Sequence, residues 1–334
     1  MSKLSVAMAT YNGEKYIVAQ MDSIRTQTMS VDEVIISDDH STDQTKNVIE
    51  QYIAQYSLAD TWKLIENPDK GVRSNFYNAI KHTTGDILFL CDQDDIWLPD
   101  KAAAITAVFE NDSKIKCLNT SFQYIDKEGN EMPIKQDEDK ANNNLILHPI
   151  DKNAVEKIPL SLVFRKNISP GMTMAFTREV AEEYLRCSEL KVIHDWEINC
   201  LSAAMDGLFF YNAVLTYYRI HDMQTISIGN IKKRTKKEIL DAKLASAPKT
   251  VAHGQAILDE IQKLTINNGT SEYIKTQRTL FQTKDAVVNG RKLYLIPKEI
   301  HQYLKCAKMY GNIDIRYAII DALAAFTGKG KKHA

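Results

Sequence analysis

Between Ile87 and Leu90 the chain is wholly apolar, and just beyond it come Asp92, Asp94 and Asp95. Three carboxylates within four positions repel one another, so the cluster weakens the fold unless a partner holds it. Two chemistries use such a cluster. Carboxylate oxygens can coordinate a hard divalent cation such as Mg²⁺ or Mn²⁺, or one carboxylate can act as acid, base or nucleophile. The plain alternative is an Asp-rich turn that caps the next helix, "LPDKAAAITAVF". Asp100, with Pro99 before it, suffices as that cap, which leaves the triplet unneeded for it.

A further carboxylate stands in "VIHDWEI", where Asp195 lies between His194 and Trp196 at the start of a predicted helix. It reads either as a general base or as a helix cap beside a core tryptophan. Trp196 can wall a sugar ring or fill the core. Arg219 and His221, in "YYRIH", follow a strand and can reach a diphosphate or serve packing alone.

These residues need a frame. "LSVAMAT" (4–10), "DEVIISDD" (32–39), "WKLIEN" (62–67) and "DILFLC" (86–91) read as strands. Helical stretches at 13–27, 41–57 and 73–83 separate them, the first with Tyr16, Ile17, Gln20, Met21 and Ile24 on one face and the second opening on Ser41 and Thr42 as caps. Alternating strands and helices imply right-handed βαβ units and a mostly parallel α/β sheet flanked by helices. Ligands gather beyond the carboxyl ends of such strands. Three strands end there in polar clusters, "TYN", "SDDHSTD" and "CDQDD", which makes one site of three weak signals.

Past residue 115 the pattern loosens. "KIKCLNTSFQYID" (114–126), "GMTMAFTREV" and "GLFFYNAVLTYYRI" read as strands, with a helix around "DWEINCLSAAMDG" and a polar surface loop over 127–144. A boundary near 228 separates residues 1–228 from a basic, helix-prone appendage, 229–334. In it, "IRYAIIDALAAF" places Ile315, Ile319, Leu323 and Phe326 on one face. That face suits a homo-oligomer contact, or peripheral attachment to an anionic inner leaflet together with the basic runs "KKRTKKE" and "KGKKHA".

Composition narrows the function classes. Of 334 residues 44% are hydrophobic and 25% charged, as expected of an ordinary globular protein, and a net charge of -1 argues against nucleic-acid binding. The N-terminus meets polar residues too early for a signal peptide, and no stretch is long and apolar enough for a membrane span. Five scattered cysteines without CxxC spacing fit a reducing cytoplasm. An aspartyl-phosphate hydrolase would carry its Asp-x-Asp on the first strand, not the fourth. A sugar nucleotidyltransferase would want a Gly-rich, Arg-bearing loop where "ATYNGEKY" has a single Gly and no Arg.

Residues 1 to about 228 resemble an inverting family 2 glycosyltransferase of the GT-A (Rossmann-like) fold. The resemblance rests on "MATYNGEKYIVAQMDSI", "IISDDHSTDQT", "FLCDQDDIWLPDK", "GMTMAF", "HDWEI" and "YYRIH" in that order. "DQDDIW" and "YNGEKY" are most similar to bacterial rhamnosyltransferase-like enzymes of cell-wall and surface polysaccharides. "SDDHSTD" has His40 where Gly is common in the family. The resemblance implies a nucleotide-sugar donor, dTDP-rhamnose first and UDP-sugars next, and a glycan or lipid-linked acceptor. It implies that Thr10, Tyr11, Asn12 and Gln93 flank the nucleotide and that Asp38 or Asp39 accepts from the pyrimidine N–H. Asn67 and Arg73 are further donor-side positions, each with a turn or solvated-helix reading beside it. It implies that Asp92 and Asp94 sit at the metal or the donor ribose, Asp94 most directly, with Asp95 assisting or orienting the loop and His221 a further metal-side position. It implies that Asp195 is the general base, with Trp196 walling the acceptor sugar and Arg219 reaching the diphosphate. A second class remains beside the active enzyme: an inactive nucleotide-sugar-binding scaffold.

Overall fold

The computed structural model describes residues 2–133, 142, 145–146, 148–164, 166–221, 236–264, 268–310 and 316–327. Most of the 127–144 loop, "KKRT" at 232–235, Ile315 and the terminal "KGKKHA" therefore lie outside the described residues. The chain divides into two units, Met1–Ser227 and Ile228–Ala334.

In the first unit, β1 (Leu4–Thr10), α1 (Ile17–Arg25), β2 (Glu33–Asp38), α2 (Thr45–Gln55), β3 (Trp62–Glu66), α3 (Val72–His82) and β4 (Ile87–Asp92) follow in order. The strands pair in parallel as β3-β2-β1-β4. β1 and β2 are buried along their whole length, because helices cover both faces of a parallel sheet. α1 turns Ile17, Gln20, Met21 and Ile24 inward, against a core that includes Val6, Met8, Ile36 and Phe89.

The first crossovers carry the chain outward from β1 to β3, and the next returns it to β4 on β1's other side. Strand order thus reverses between β1 and β4, where an open α/β sheet forms its ligand crevice. Register aligns the chemistry along that edge: Thr10 sits beside Asp38, Ala9 beside Asp92, and Asp38 beside Glu66.

Beyond β4 the sheet is mixed, where the sequence pattern predicts mostly parallel strands. β5 (Ile96–Trp97), α4 (Lys101–Asn111), β6 (Cys117–Ile125), β7 (Val155–Lys157), α5 (Leu160–Val163), β8 (Met174–Thr177), α6 (Arg178–Cys187), α7 (His194–Ala204) and β9 (Leu208–Arg219) complete the unit. β8 runs antiparallel to β4 and β6, because a 3-10 turn at Gly171–Thr173 starts it from the crevice edge. β5 runs antiparallel to β9, with Ile96 opposite Tyr217. That pairing brings the residues after β4 against those that end β9.

Two expected caps are absent. α2 starts at Thr45, beyond Ser41 and Thr42, and Asp43 instead accepts from the Thr45 amide and hydroxyl. Asp100 precedes α4 without a capping bond, its carboxylate taking the Thr28 hydroxyl at 2.8 Å.

The second unit is helical: α8 (Lys236–Gln262), α9 (Asn268–Val288), α10 (Ile296–Tyr310) and α11 (Arg316–Thr327). Leu244, Ala247, Val251, Val288 and Ala324 form one core cluster, and Leu280, Tyr303 and Ala318 another. No described helix is long and apolar enough to cross a membrane.

Candidate active site

At the crevice, polar side chains hold three loops in place. Asn12 and His40 have φ of 48° and 62°, the left-handed region that favours glycine. His40 adopts it while its ring contacts the Asp69 carbonyl and the Glu66 carboxylate, each at 3.0 Å. Those contacts offset the backbone cost that a Gly would avoid. The Asn12 amide donates to Ser41, and its side-chain oxygen accepts from the Thr42 amide.

Gln93 locks the first loop to the acidic one. Its side-chain oxygen accepts from the Tyr11 amide and its nitrogen donates to the Tyr11 carbonyl, both at 2.8 Å. Gly13 is required beneath, since a Cβ there would strike the Gln93 amide. Tyr11 itself is exposed.

Asp38 and Asp39 have different surroundings. Asp38 is 0% exposed. It accepts from the Thr10 and Ser41 hydroxyls and the Ser41 amide. It therefore holds the loop and presents no face to a ligand. Asp39 is half-buried and accepts from the Asn67 side chain and the Gly71 amide, each at 2.8 Å. Each of its oxygens keeps a lone pair for a further donor. Asn67 is buried and also donates to Ser74, so it braces Asp39 from below. Arg73 reaches the Leu190 carbonyl at 2.7 Å and joins α3 to the segment before α7.

The three acidic residues also separate. Asp94 Oδ2 lies 2.8 Å from His221 Nε2, and its backbone carbonyl accepts from Arg219 Nε. Asp95 turns inward: Oδ1 accepts from the Arg219 amide, and Oδ2 is buried without a hydrogen-bond partner among the described residues. Burial, together with Asp94 and Asp92, pushes its carboxyl well above the ordinary range. Asp92, ending β4, is pushed up to about 8 by burial and by the nearby Asp94 and Asp195, with Lys101 opposing. Arg219 also faces the Tyr16 ring, 4.8 Å from its centroid, and Tyr16 packs against His221.

Beneath them lies a cation that the sequence pattern hides. Lys101 is 0% exposed, donates to the Met172 carbonyl at 2.6 Å and to Thr216 at 3.0 Å, and sits over the Trp97 ring. Burial lowers its pKa to about 7, against the pull of Cys91, Asp95 and Asp92. Read as one exposed lysine of a helix start, it escapes notice. Its signal is a spacing of four with Ile105 and Phe109 on the buried face of α4.

Across the crevice, Asp195 opens α7. It is buried, its Oδ1 accepts from the Trp196 amide at 2.7 Å, and burial raises its pKa to about 6 against hydrogen bonds from Asn167 and Gly171. His194 stacks on Phe76 with ring centroids 3.9 Å apart, and burial holds its pKa near about 3, so it is neutral. Trp196 donates its indole N–H to the Val163 carbonyl, which pins α7 to α5. The fold thus brings Asp92, Asp94, Asp195, His221 and Arg219 to one crevice, while Asp38, Asn67 and Asp95 support it from within.

For a divalent cation, Asp94 and His221 supply one carboxylate and one imidazole, a donor set that suits Mn²⁺. Among the described residues no three such side chains group into a cage. A cation here would complete its shell with ligand oxygens and water.

Residues 5–169 match the family described as "Glycosyl transferase family 2". An uncharacterized glycosyltransferase of Nostoc, alr2836, is 28% identical over 66% of this chain and 65% of its own. The putative glycosyltransferase EpsE of Bacillus subtilis is 33% identical over 38% of this chain and 45% of its own. The dTDP-rhamnosyl transferase RfbG of Shigella flexneri is 40% identical over 28% of this chain and 34% of its own. The chain therefore spans less than two thirds of each of these relatives. Among solved structures, S. aureus TarS 1-349 with UDP-GlcNAc aligns over 98% of this chain and 90% of its own, at a TM-score of 0.59 and 16% identity. The mannosyltransferase PcManGT of Pyrobaculum calidifontis, with GDP-Man and Mn²⁺, aligns over 98% and 87%, at 0.52 and 17%. These likenesses establish the GT-A-like fold.

Proposed function

We propose that this chain, a glycosyltransferase of family 2 over its matched segment, is a metal-dependent, inverting enzyme of surface-glycan assembly. It moves a sugar from a pyrimidine nucleotide donor to a hydroxyl of a growing or lipid-linked glycan. One observation carries this reading. Asp195 is a buried carboxyl with its pKa raised to about 6, close enough to Asp92 at the end of β4 for the two to repel. A base poised near the working pH, facing the donor side of the crevice, is what a direct displacement needs.

The chain's residues divide the work. Gln93 holds the Tyr11 backbone, so that Thr10, Tyr11 and Asn12 flank the base. Asp39, braced by Asn67 and Gly71, accepts the pyrimidine N3–H. Asp94 and His221 would hold a divalent cation, whose chemistry is to neutralise the departing diphosphate. Asp195 takes the proton from the acceptor hydroxyl as it attacks, and one displacement inverts the anomeric carbon. Neutral His194 leaves Asp195 its raised pKa, where a cationic neighbour would lower it. Trp196, pinned by its indole N–H, offers a ring to the acceptor.

Donor preference follows the relatives and the Asp39 acceptor: dTDP-rhamnose first, UDP-sugars next. RfbG is named as a dTDP-rhamnosyl transferase, TarS was solved with UDP-GlcNAc and PcManGT with GDP-Man. Thermal stabilisation across dTDP-, UDP- and GDP-sugars with Mn²⁺ tests the choice, because a ligand of the folded state alone raises stability. Exclusive preference for a GDP-sugar overturns the pyrimidine reading. Donor binding with no hydrolysis, with or without acceptor, points instead to an inactive scaffold.

A further inference from the structure

Helix α11 is built with its polarity reversed. Its inward face is small and charged: Ala318, Ala324 and Ala325 are buried, and buried Asp321 pairs with Lys284 at 2.9 Å, beside the Tyr303 hydroxyl. Its outward face is apolar, with Ile319 57% and Phe326 77% exposed and Leu323 between them. An apolar stripe of this kind on a soluble surface marks a contact.

The stripe does not stand alone. Ile319, Leu323 and Phe326 line an open cavity of about 310 Å³ with Leu293, Ile296 and Ile300. Next to Leu293, Tyr294 is 75% exposed, and Leu304 extends the α10 row from Ile296 and Ile300. Between these residues stand exposed Arg291, Lys292, Lys298 and Lys305. Charge continues the theme. Residues 228–334 hold 20 Lys and Arg against 9 Asp and Glu, while residues 1–227 hold 22 against 34. The near-neutral chain is thus an acidic unit joined to a strongly basic one.

We propose that the α10–α11 face of the helical unit docks on an anionic lipid bilayer. Leu293, Tyr294, Ile319, Leu323 and Phe326 enter the acyl boundary, and Arg291, Lys292, Lys298 and Lys305 meet the headgroups. Apolar residues beneath a basic rim are the chemistry of interfacial binding. A second copy suits the face less well. A two-fold contact would set its four cations against the same four cations, with no carboxylate among the described exposed residues at the rim.

The test is co-sedimentation of the full chain with phosphatidylglycerol/phosphatidylcholine vesicles and with pure phosphatidylcholine. Expected is binding to the anionic vesicles alone, weakened by salt. Phe326→Ser with Ile319→Ser should cut vesicle affinity by about tenfold or more, and each of Arg291→Gln, Lys292→Gln and Lys298→Gln by about fivefold. Circular dichroism and donor hydrolysis without vesicles check that these variants stay folded, since none of them is a residue of the crevice. Three results overturn the proposal. One is no binding to anionic vesicles at low salt. Another is binding that responds to the charge variants and ignores the apolar pair. The last is a stable dimer in solution that Phe326→Ser dissociates, which would assign the face to a second copy. Loss of donor hydrolysis in the unaltered chain would count against the enzyme reading and leave this surface untouched.

Discussion

Replacing Asp195 by Asn tests the reaction and the fold together. The side-chain oxygen that accepts from the Trp196 amide survives in Asn, so the start of α7 keeps its bond. What disappears is a base. A positioned general base supplies about 10²–10⁴ in rate, so kcat should fall by that factor with donor affinity nearly unchanged. Stability should move the other way. Burial raises the Asp195 pKa from 3.8 to about 6. A carboxyl whose folded pKa is raised is disfavoured once it ionises, so its cost to the fold is present above about 6 and relieved as pH falls. At about 1.4 kcal/mol per unit, the ionised carboxylate costs on the order of 2–3 kcal/mol near neutral pH. Asn carries no such cost, so Asp195→Asn should melt higher than wild type near neutrality and lose that advantage near pH 4. The wild-type rate gives an independent check. With a pKa of about 6, kcat/KM should drop about tenfold from neutrality to about pH 5, where a base of ordinary pKa would lose almost nothing. The assay is donor consumption and anomeric configuration of the product by NMR, beside thermal melts across the same pH range. Near wild-type turnover in Asp195→Asn, a flat profile down to pH 5, or retained anomeric configuration would refute the reasoning.

Asp94→Asn and His221→Ala should each weaken Mn²⁺ and nucleoside diphosphate binding together in calorimetry, and full activity in chelator would contradict a cation held there. Lys101→Met leaves the Met172 carbonyl and Thr216 hydroxyl without their donor; urea unfolding should show a loss of about 2 kcal/mol or more, and an unchanged midpoint would mean the buried cation is dispensable. Gln93→Ala frees both Tyr11 backbone groups, so KM for the donor should rise several-fold more than kcat falls; equal losses in both would place Gln93 in the chemical step instead.

The sheet's first half was legible because its signals are local. Apolar-rich strands of five to seven residues, helices between them and polar residues where each strand stops depend on neighbours in the chain. Those features sufficed to place Thr10, Asp38 and Asp92 along one edge. The roles of the individual carboxylates were not local. Asp38 and Asp39 are adjacent in sequence, yet one points into the Thr10–Ser41 turn and the other toward the crevice, because β2 ends between them. Asp94 and Asp95 part in the same way once β5 pairs with β9 and brings Arg219 and His221 across from over 120 positions away. Nothing local marks Lys101 as buried; Met172 and Thr216, distant in sequence, close over it. The expected caps at Ser41 and Asp100 failed for a related reason: both side chains took partners outside the helix, Ser41 with Asp38 and the Asn12 amide and Asp100 with Thr28. Residue type and spacing determined which chemistry the chain could hold and at which sheet edge. Which carboxylate is exposed, which is buried and which pKa is shifted was decided by tertiary packing, because desolvation and charge proximity are set by the groups the fold places nearby, whatever their distance in the sequence.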